Sequence, residues 1–460
     1  MHTHNTVVIS DLHLTDAEPQ NPAKPYWKNF KQARHFIDAD LGRFLNHIKK
    51  ESKDFPVELV LNGDIFDYDS VMTLPEDKVF KITRYEKLTG LKSHEEKSLF
   101  KTKVILDQHD LFISALKKFV QDGHKVVFVI GNHDIELYWP SVQKEIIYRI
   151  TENSSEESQV SFCDWFYVSQ NDTLIEHGHQ YDPYCMCIDP INPIIKKNKK
   201  YKVRLPFGNI ANRFILNRFA LKNPHQEDSY VKTGKEFMIF FFKYELRLQP
   251  WLAFLWLSGA LRTLVNSLGE GFTPAIKDPL IYESKIKAIA ARANVNTHTI
   301  LALKELHAHP AVHRPIEIFR ELWLDRFFFA VFLVWGSWQI FTTSTLFSTV
   351  SLWWFIIPIL ISIPFWAYYA EGITSDVNAN SRLGEEKAPI AAQIVGVTRV
   401  VHGHTHYHVH RFFEGIEFLN PGSWSPSFDD LACSKDNRIK KYVWIKSNGI
   451  SREADLKLWE

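Results

Sequence analysis

Excess charge of either sign is missing from this chain: 54 Lys and Arg stand against 53 Asp and Glu, leaving +1 over 460 residues. That removes any global electrostatic case for a nucleic-acid partner. Cysteine is scarce, with four residues at 163, 185, 187 and 433, and none shows the paired spacing of a zinc site. Cys185-Met186-Cys187 is too tight for a structural zinc and reads as two reduced thiols in a loop. No apolar leader separates Met1 from the first apolar run, so no signal peptide is expected and the domain that begins here is expected to stay in the cytosol. Internal repeats and low-complexity tracts are also missing. Length alone would allow two or three domains.

What the sequence does have is five short blocks rich in histidine and aspartate: Asp11-Leu12-His13, Gly63-Asp64, Gly131-Asn132-His133-Asp134, His177-Gly178-His179 and His402-Gly403-His404-Thr405-His406. Four of them follow apolar, β-branched runs directly: Thr6 to Ile9, Leu59 to Leu61, Val126 to Ile130, and Ile394 through Val401. The run before His177, Thr173-Leu174-Ile175, is weaker. Such runs predict buried strands in an α/β fold, and the ends of strands are where α/β folds place reactive groups. A lone Gly-Asp is usually a turn and a lone His usually a packed or surface residue. Five such blocks in order, split across nearly the whole chain, are expected to converge in one fold.

The succession of blocks resembles the calcineurin-like metallophosphoesterase family in order and spacing, over residues 6 to about 180 and 393 to about 445. The resemblance implies an αββα sandwich and a centre of two divalent cations. Two such ions can clamp a phosphoryl group, hold a hydroxide in line with phosphorus and stabilise the leaving oxygen. Carried over block by block, it makes Asp64 the bridging carboxylate. Asp11, His13 and His406 would complete one site, and Asn132, His177 and His404 the other. This mixed nitrogen and oxygen set suits manganese, iron or zinc better than calcium, with manganese the first expectation. His133, which follows a ligand and is not one in the family, is implied as the general acid or charge stabiliser beside the leaving group. Asp67 and Asp134 are candidates to orient histidines from behind or, alternatively, to cap helices. His179 and His402 flank ligand positions and are candidate supporting residues.

Between the fourth and fifth blocks lies a long stretch outside the shared pattern. The expected organisation is a first core part over 1–184, a helical insertion over 185–392 and a second core part over 393–460. From Phe327 to Ala370 there is no Asp, Glu, Lys, Arg or His. A spanning helix needs about 20 such residues, so this run predicts a transmembrane hairpin over 327–370, turning at Thr342-Thr343-Ser344-Thr345 with Ser348. Trp335, Trp338, Trp353, Trp354, Trp366, Tyr368 and Tyr369 fit aromatic belts. An even number of passes is required, because His177 precedes the run and His404 follows it. Arg314, Arg320 and Arg326 before the hairpin and Arg382 and Lys387 after it then all lie on the catalytic side, as the positive-inside rule expects. The alternative is a helical hairpin buried in a core or a dimer interface.

Phe237 to Val265 is apolar but interrupted by Lys243, Glu245, Arg247, Pro250 and Arg262, which predicts helices lying in an interface plane. Lys196-Lys197-Asn198-Lys199-Lys200-Tyr201-Lys202-Val203-Arg204 could meet anionic headgroups or be a solvated basic loop. Tyr282 to His307 predicts a soluble helical pair. His298, His307, His309 and His313 crowd its end, more simply as helix-end histidines than as a third metal site.

A lipid or lipid-linked phosphoester is the economical substrate for a two-metal enzyme with its own membrane insertion, acting at the cytoplasmic side of the inner membrane. Within the family, the resemblance is nearest to the UDP-2,3-diacylglucosamine pyrophosphatases, which have an insertion in the same interval and a Cys after the block corresponding to His177. Those enzymes carry Arg at the position of His133 and have a shorter insertion without a spanning hairpin. Phe207, Phe214, Phe219 and Trp251 are candidate acyl contacts. The alternatives are an anchored phosphodiesterase or phosphatase acting on soluble nucleotides or phosphoproteins, a nuclease, which the charge balance disfavours, and a non-catalytic scaffold, which the full set of ligand positions disfavours.

Overall fold

The computed structural model describes residues 4–460 except 54, 153–154, 198–199, 222, 226–238, 274–278, 373–382 and 448–449. Asn198, Lys199, Phe237 and Arg382 of the sequence expectations lie outside the described residues. Two sheets form the centre. The first has six strands in the order β13-β12-β1-β2-β3-β4. β1 (Asn5–Ile9), β2 (Val57–Asn62), β3 (Lys125–Val129) and β4 (Val160–Cys163) run parallel, and β12 (Lys441–Ser447) joins antiparallel to β1 with Thr6 opposite Ile445, followed by β13 (Arg452–Leu458). The second has the order β10-β11-β9-β6-β5, with β5 (Phe166–Ser169), β6 (Thr173–Glu176), β9 (Arg399–Val401), β10 (His408–Phe413) and β11 (Ile416–Pro421). Each sheet mixes strands from before and after the long insertion, so neither chain segment completes a sheet alone.

Alternation along the strands builds the layers. Val8, Val60, Val127 and Val129 of the first sheet meet Ile175, Val401 and Leu419 of the second in one buried cluster. The intervening Val7, Leu59, Leu61, Val126 and Phe128 point the other way, onto helices α1 (Asp38–Ser52), α2 (Glu95–Gln108), α3 (Asp110–Gln121) and α4 (Pro140–Thr151). Strands apolar on both faces are what a sheet sandwiched between layers requires.

The outer face of the second sheet is covered by helices that the sequence assigns to the insertion. After the hairpin β7 (Ile194–Lys197) and β8 (Lys200–Val203) come α5 (Phe207–Phe214), α6 (Leu252–Gly271), α7 (Pro279–Arg292), α8 (Thr297–Lys304), the apolar α9 (Leu324–Thr345) and α10 (Trp353–Gly372), and α11 (Leu383–Val395). Ile286, Ile289 and Ala290 of α7, Ile300 and Leu303 of α8 and Ala388, Ala391 and Ala392 of α11 pack with Phe166, Leu174, Val400 and Phe418. The run from Ile394, expected as strand, is therefore different: it ends α11, turns at Gly396 with φ 80°, and only Arg399–Val401 is strand. The small Ala face lets α11 lie close on the sheet, and the expected boundary at 392 falls inside it.

The apolar hairpin also differs from expectation in its turn. Thr342, Thr343, Ser344 and Thr345 remain helical as the last turn of α9, because Thr342, Ser344 and Thr345 donate their hydroxyls to carbonyls three or four residues back, a bond that lets these residues stay in a helix. The chain reverses over 346–352 instead. At the other end the helices are tied, with Trp366 Nε1 donating to Arg326 O at 3.2 Å and Tyr369 Oη to Asp325 at 3.1 Å. Among the described residues α9 is the one helix long and apolar enough to cross a membrane. The apolar stretch of α10 covers Trp353–Trp366 and includes Pro358 and Pro364. The hairpin is not a core element of the chain: Phe332 is 63% exposed, Trp335 56% and Trp354 63%.

Because Ala392 is fully buried against the second sheet, enlarging it tests whether α11 belongs to the core. Ala392→Leu is expected to lower stability by about 1–3 kcal/mol through overpacking, read as a lower midpoint in denaturant unfolding. An unchanged midpoint would mean that α11 lies loosely on the sheet.

Candidate metal centre

All five blocks sit at the carboxyl ends of strands, after β1, β2, β3, β6 and β9. Their backbone is unusual. Asp11, His13, Asp64, His404 and His406 all have left-handed backbones, with φ between 52° and 66°. Such conformations cost about 1–3 kcal/mol each and persist where the surroundings enforce them. Here they turn the chain sharply off each strand, so that neighbouring residues face one point. The glycines of the blocks keep that point open. A Cβ on Gly131 would lie 2.3 Å from Asp64 Oδ1, and one on Gly63 would lie 2.4 Å from the His177 ring.

Four groups of converging donors result among the described residues: His13, Asp67, His133 and His225 form one, Asp182, Cys185 and His404 another, and the other two are made only of expected ligands. In one of these two ligand clusters, Asp11, His13 and His406 converge: Nε2 of His13 and Nε2 of His406 face each other at 3.2 Å, and Asp11 Oδ1 lies 3.3 Å from the latter and 3.9 Å from the former. In the other, Asp64, His177 and His404 converge, with His177 Nε2 3.2 Å from Asp64 Oδ2. That same Asp64 oxygen is 4.0 Å from His13 Nε2, which places Asp64 between the two ligand clusters. Asn132 is joined to them through its loop, since the adjacent His133 N–H donates to Asp64 Oδ1 at 2.8 Å. The residues fit a pair of cations by what they lack. Asp11 Oδ1 and Asn132 Oδ1 are buried and without hydrogen-bond partners, and orphaned buried acceptors are costly unless something positive satisfies them.

Behind these side chains stands a supporting layer. His177 Nδ1 is held by Asn62 O at 2.9 Å, His404 Nε2 by Asp182 Oδ2 at 3.2 Å, and Asp11 Oδ2 accepts from the His404 N–H at 3.1 Å and from Ser10. Asp134 does not face a histidine; its two oxygens accept from the Gly131 and Ile65 N–H groups and tie the third block to the second. Asp67 does both things the sequence allows. It caps the turn Tyr68–Ser70 through the Ser70 N–H, and its Oδ1 lies 3.5 Å from His133 Nδ1. His402 bonds Glu176 at 3.1 Å and stacks on Tyr181, away from the two clusters. His179 is buried with its ring 5.4 Å from that of His177.

The insertion contributes a residue that no block contains. His225 stacks on His13 with ring centroids 3.7 Å apart, its Nε2 is 2.7 Å from Asp67 Oδ2, and its carbonyl faces His406 Nδ1 at 3.2 Å. It thus touches two ligand histidines and the carboxylate that serves His133. No motif marks Asn223-Pro224-His225, so the sequence carries no signal for it. Asp182 had one, lying five residues after His177 in the same block.

Carboxylates and imidazoles in this site set one another's charge. Burial opposes ionisation of Asp64, yet His177 and His133 outweigh it and hold the carboxyl well below the usual range. Burial pushes His13 well down, with His225 adding to the shift. For His177 burial acts downward as well, but Asp64 and Asp11 prevail and raise it to about 9. His133 is raised to about 10, Asp64 and Asp67 overcoming its burial.

The chain is a metal-dependent phosphoester hydrolase: residues 4–207 match the model of the calcineurin-like phosphoesterase family, whose members use a binuclear divalent-metal centre, and the clusters with the histidine beside them fit such a centre. The match takes in the first four blocks, and the fold brings His404 and His406 to them from far outside it. No curated protein matches the chain.

Two outcomes follow from this geometry. His225→Ala is expected to cut kcat/KM by about 10–100-fold, the usual cost of losing a residue that positions ligands, with the fold unchanged by circular dichroism; wild-type kinetics would mean that its contacts are idle. A cation at His177 Nε2 must displace the proton held with a pKa of about 9. Metal affinity is therefore expected to climb by up to about tenfold per pH unit below pH 9 and then level off, with proton release seen by calorimetry in buffers of different ionisation enthalpy. Affinity independent of pH would contradict it.

Proposed function

We propose that the protein is a membrane-associated two-metal phosphoesterase that hydrolyses a phosphoester or pyrophosphate bond of a lipid-linked substrate. A UDP-diacylglucosamine-like molecule would be one such substrate. The observation that carries this reading is the cavity beside the metal centre. Its lining includes His13, Asp67 and His225 together with Leu12, Leu14, Phe30, Phe36, Leu216 and Phe219, around a narrow space of about 60 Å³. Leu216, Phe219 and His225 come from the same insertion that carries the exposed apolar hairpin. An apolar slot opening onto phosphoester chemistry suits an acylated substrate better than a nucleotide or a phosphoprotein. Of the expected acyl contacts only Phe219 lines this cavity; Phe207 and Phe214 are buried in the interior and Trp251 is 73% exposed. Lys28 brings a buried ammonium to the same wall, lowered to about 8 by burial and by Lys31, and can meet a second phosphate.

Bound at these ligands, two divalent cations, manganese first, supply the charge that activates water and screens the phosphoryl oxygens. The chain's own part is to position and to move a proton. The carboxylates of Asp64 and Asp67, the latter 3.5 Å from Nδ1, keep His133 charged so that it can protonate the departing oxygen, and His225 contacts Asp67 and His13. The apolar hairpin anchors the enzyme, with Arg314, Arg320 and Arg326 at its catalytic end supporting a cytoplasmic orientation at the inner membrane.

The test is manganese-dependent hydrolysis by the membrane-extracted protein, with UDP-diacylglucosamine and bis-p-nitrophenyl phosphate assayed side by side and Asp64→Ala as control. Turnover of the lipid that vanishes in the control is expected. Turnover of the small diester alone would overturn the lipid assignment and leave a phosphodiesterase for soluble substrates.

A further inference from the structure

A second and larger cavity, about 560 Å³, lies where β7 and β8, α5, α6 and the 85–94 loop meet. None of the seven metal ligands lines it, nor does His133 or His225. Its charge is lopsided for a chain of net +1: Lys92, Lys197, Lys200, Lys202, Arg213 and Arg262 face only Glu86 and Glu270. Both carboxylates are already engaged, Glu270 by Lys202 and Glu86 by Lys97, which lies outside the lining. Lys200 reaches Glu96 at 3.2 Å, but both side chains are about half exposed, where such a pair holds little energy.

Two of the cations are set in place before any ligand arrives. Arg213, buried, donates to the carbonyls of Leu91 at 2.6 Å and Gly90 at 3.1 Å, and its Nε lies 3.8 Å from Asp69 Oδ1, an ion pair that fixes the guanidinium from behind. The Arg262 guanidinium lies over the Tyr85 ring, 4.1 Å from its centroid. Fixed guanidinium groups facing a roomy space are the usual means of holding a phosphate, because their planar donors match its oxygens.

We propose that this cavity binds the phosphate headgroup of an acidic membrane lipid, at a site separate from the metal centre. The helix that supplies Arg262 is the reason to choose a lipid over free phosphate. α6 leaves Phe254, Leu261 and Val265 exposed, and its Trp256 meets Phe327 of the membrane-length α9 edge to face at 5.7 Å. A headgroup at Arg262 therefore lies on a helix that offers its tails an apolar surface. Basic pockets beside membrane helices recognise anionic lipids in this way. The site draws on the membrane association proposed above but not on the identity of the lipid hydrolysed.

The experiment uses the full chain in detergent with Asp64→Asn, so that the metal centre neither hydrolyses nor competes. Calorimetric titration compares dihexanoyl phosphatidic acid, dihexanoyl phosphatidylcholine and inorganic phosphate. Saturable binding of phosphatidic acid is expected, weakened about tenfold or more by Arg262→Gln with Lys197→Gln and weakened less by Arg262→Lys, which keeps the charge but loses the planar fork. Both side chains are exposed, so folding is not at stake. Equal affinity for phosphatidylcholine, equal affinity for inorganic phosphate, or indifference to the Gln pair would overturn the proposal. With Asp64 intact, the Gln pair should hydrolyse bis-p-nitrophenyl phosphate at the wild-type rate; a loss would place these cations in the catalytic cleft and overturn a separate site. Failure of lipid turnover in the earlier assay leaves this binding untouched, so the two readings fail independently.

Discussion

Buried acceptors drawn together with too few donors to meet them are the constraint on which this structure turns. Carboxylate, amide and imidazole groups are gathered at the carboxyl ends of five strands, most of them sealed from water. In a dry interior such a gathering is strongly unfavourable unless cations occupy it. The left-handed backbones at five of the seven ligands and the glycines that allow Asp64 and His177 to come close follow from this requirement. So do the carbonyl of Asn62 and the carboxylate of Asp182, which hold ligand histidines in one orientation. Local strain is spent where convergence needs it and is supported by the packed sheets beneath.

The insertion is bound into that economy at three places. α7, α8 and α11 form the outer layer of the second sheet, so the sandwich is incomplete without them. The segment through Asn223 and His225 closes over His13 and Asp67, with Asn223 donating to Pro426 O at 2.7 Å across to the C-terminal part. α9 and α10 project an exposed apolar hairpin whose base is fastened at Asp325 and Arg326. A segment that looks like an addition in the sequence therefore supplies structure, contacts to the candidate centre and apolar surface together.

Much of the centre was legible in the sequence because its physics is local. A strand ending in Asp-x-His, Gly-Asp or Gly-Asn-His-Asp declares both the strand and the side chains that its end presents, and Asp11, His13 and His406 come together in one group and Asp64, His177 and His404 in another. What could not be read depends on distance or on context. His225 sits in an unremarkable Asn-Pro-His and gains its place only through tertiary contact. Ile394 to Val397 reads as strand because it is β-branched, yet its residues finish a helix whose Ala face is specified by the sheet below. The Thr and Ser cluster at 342–345 reads as a turn, but hydroxyl bonds to the preceding helical turn keep it helical. Asp134 shows the same limit from the other side, since an acidic residue beside a ligand looks like a partner for histidine and here bonds only backbone.

The central claim is that one carboxylate, Asp64, joins two cation sites made from both ends of the chain. Metal analysis of the purified, manganese-saturated protein tests it most directly. About two cations per chain are expected for the wild type and at most about one for Asp64→Asn, since the bridge serves both. A single cation in the wild type, or an unchanged two in Asp64→Asn, would contradict the account.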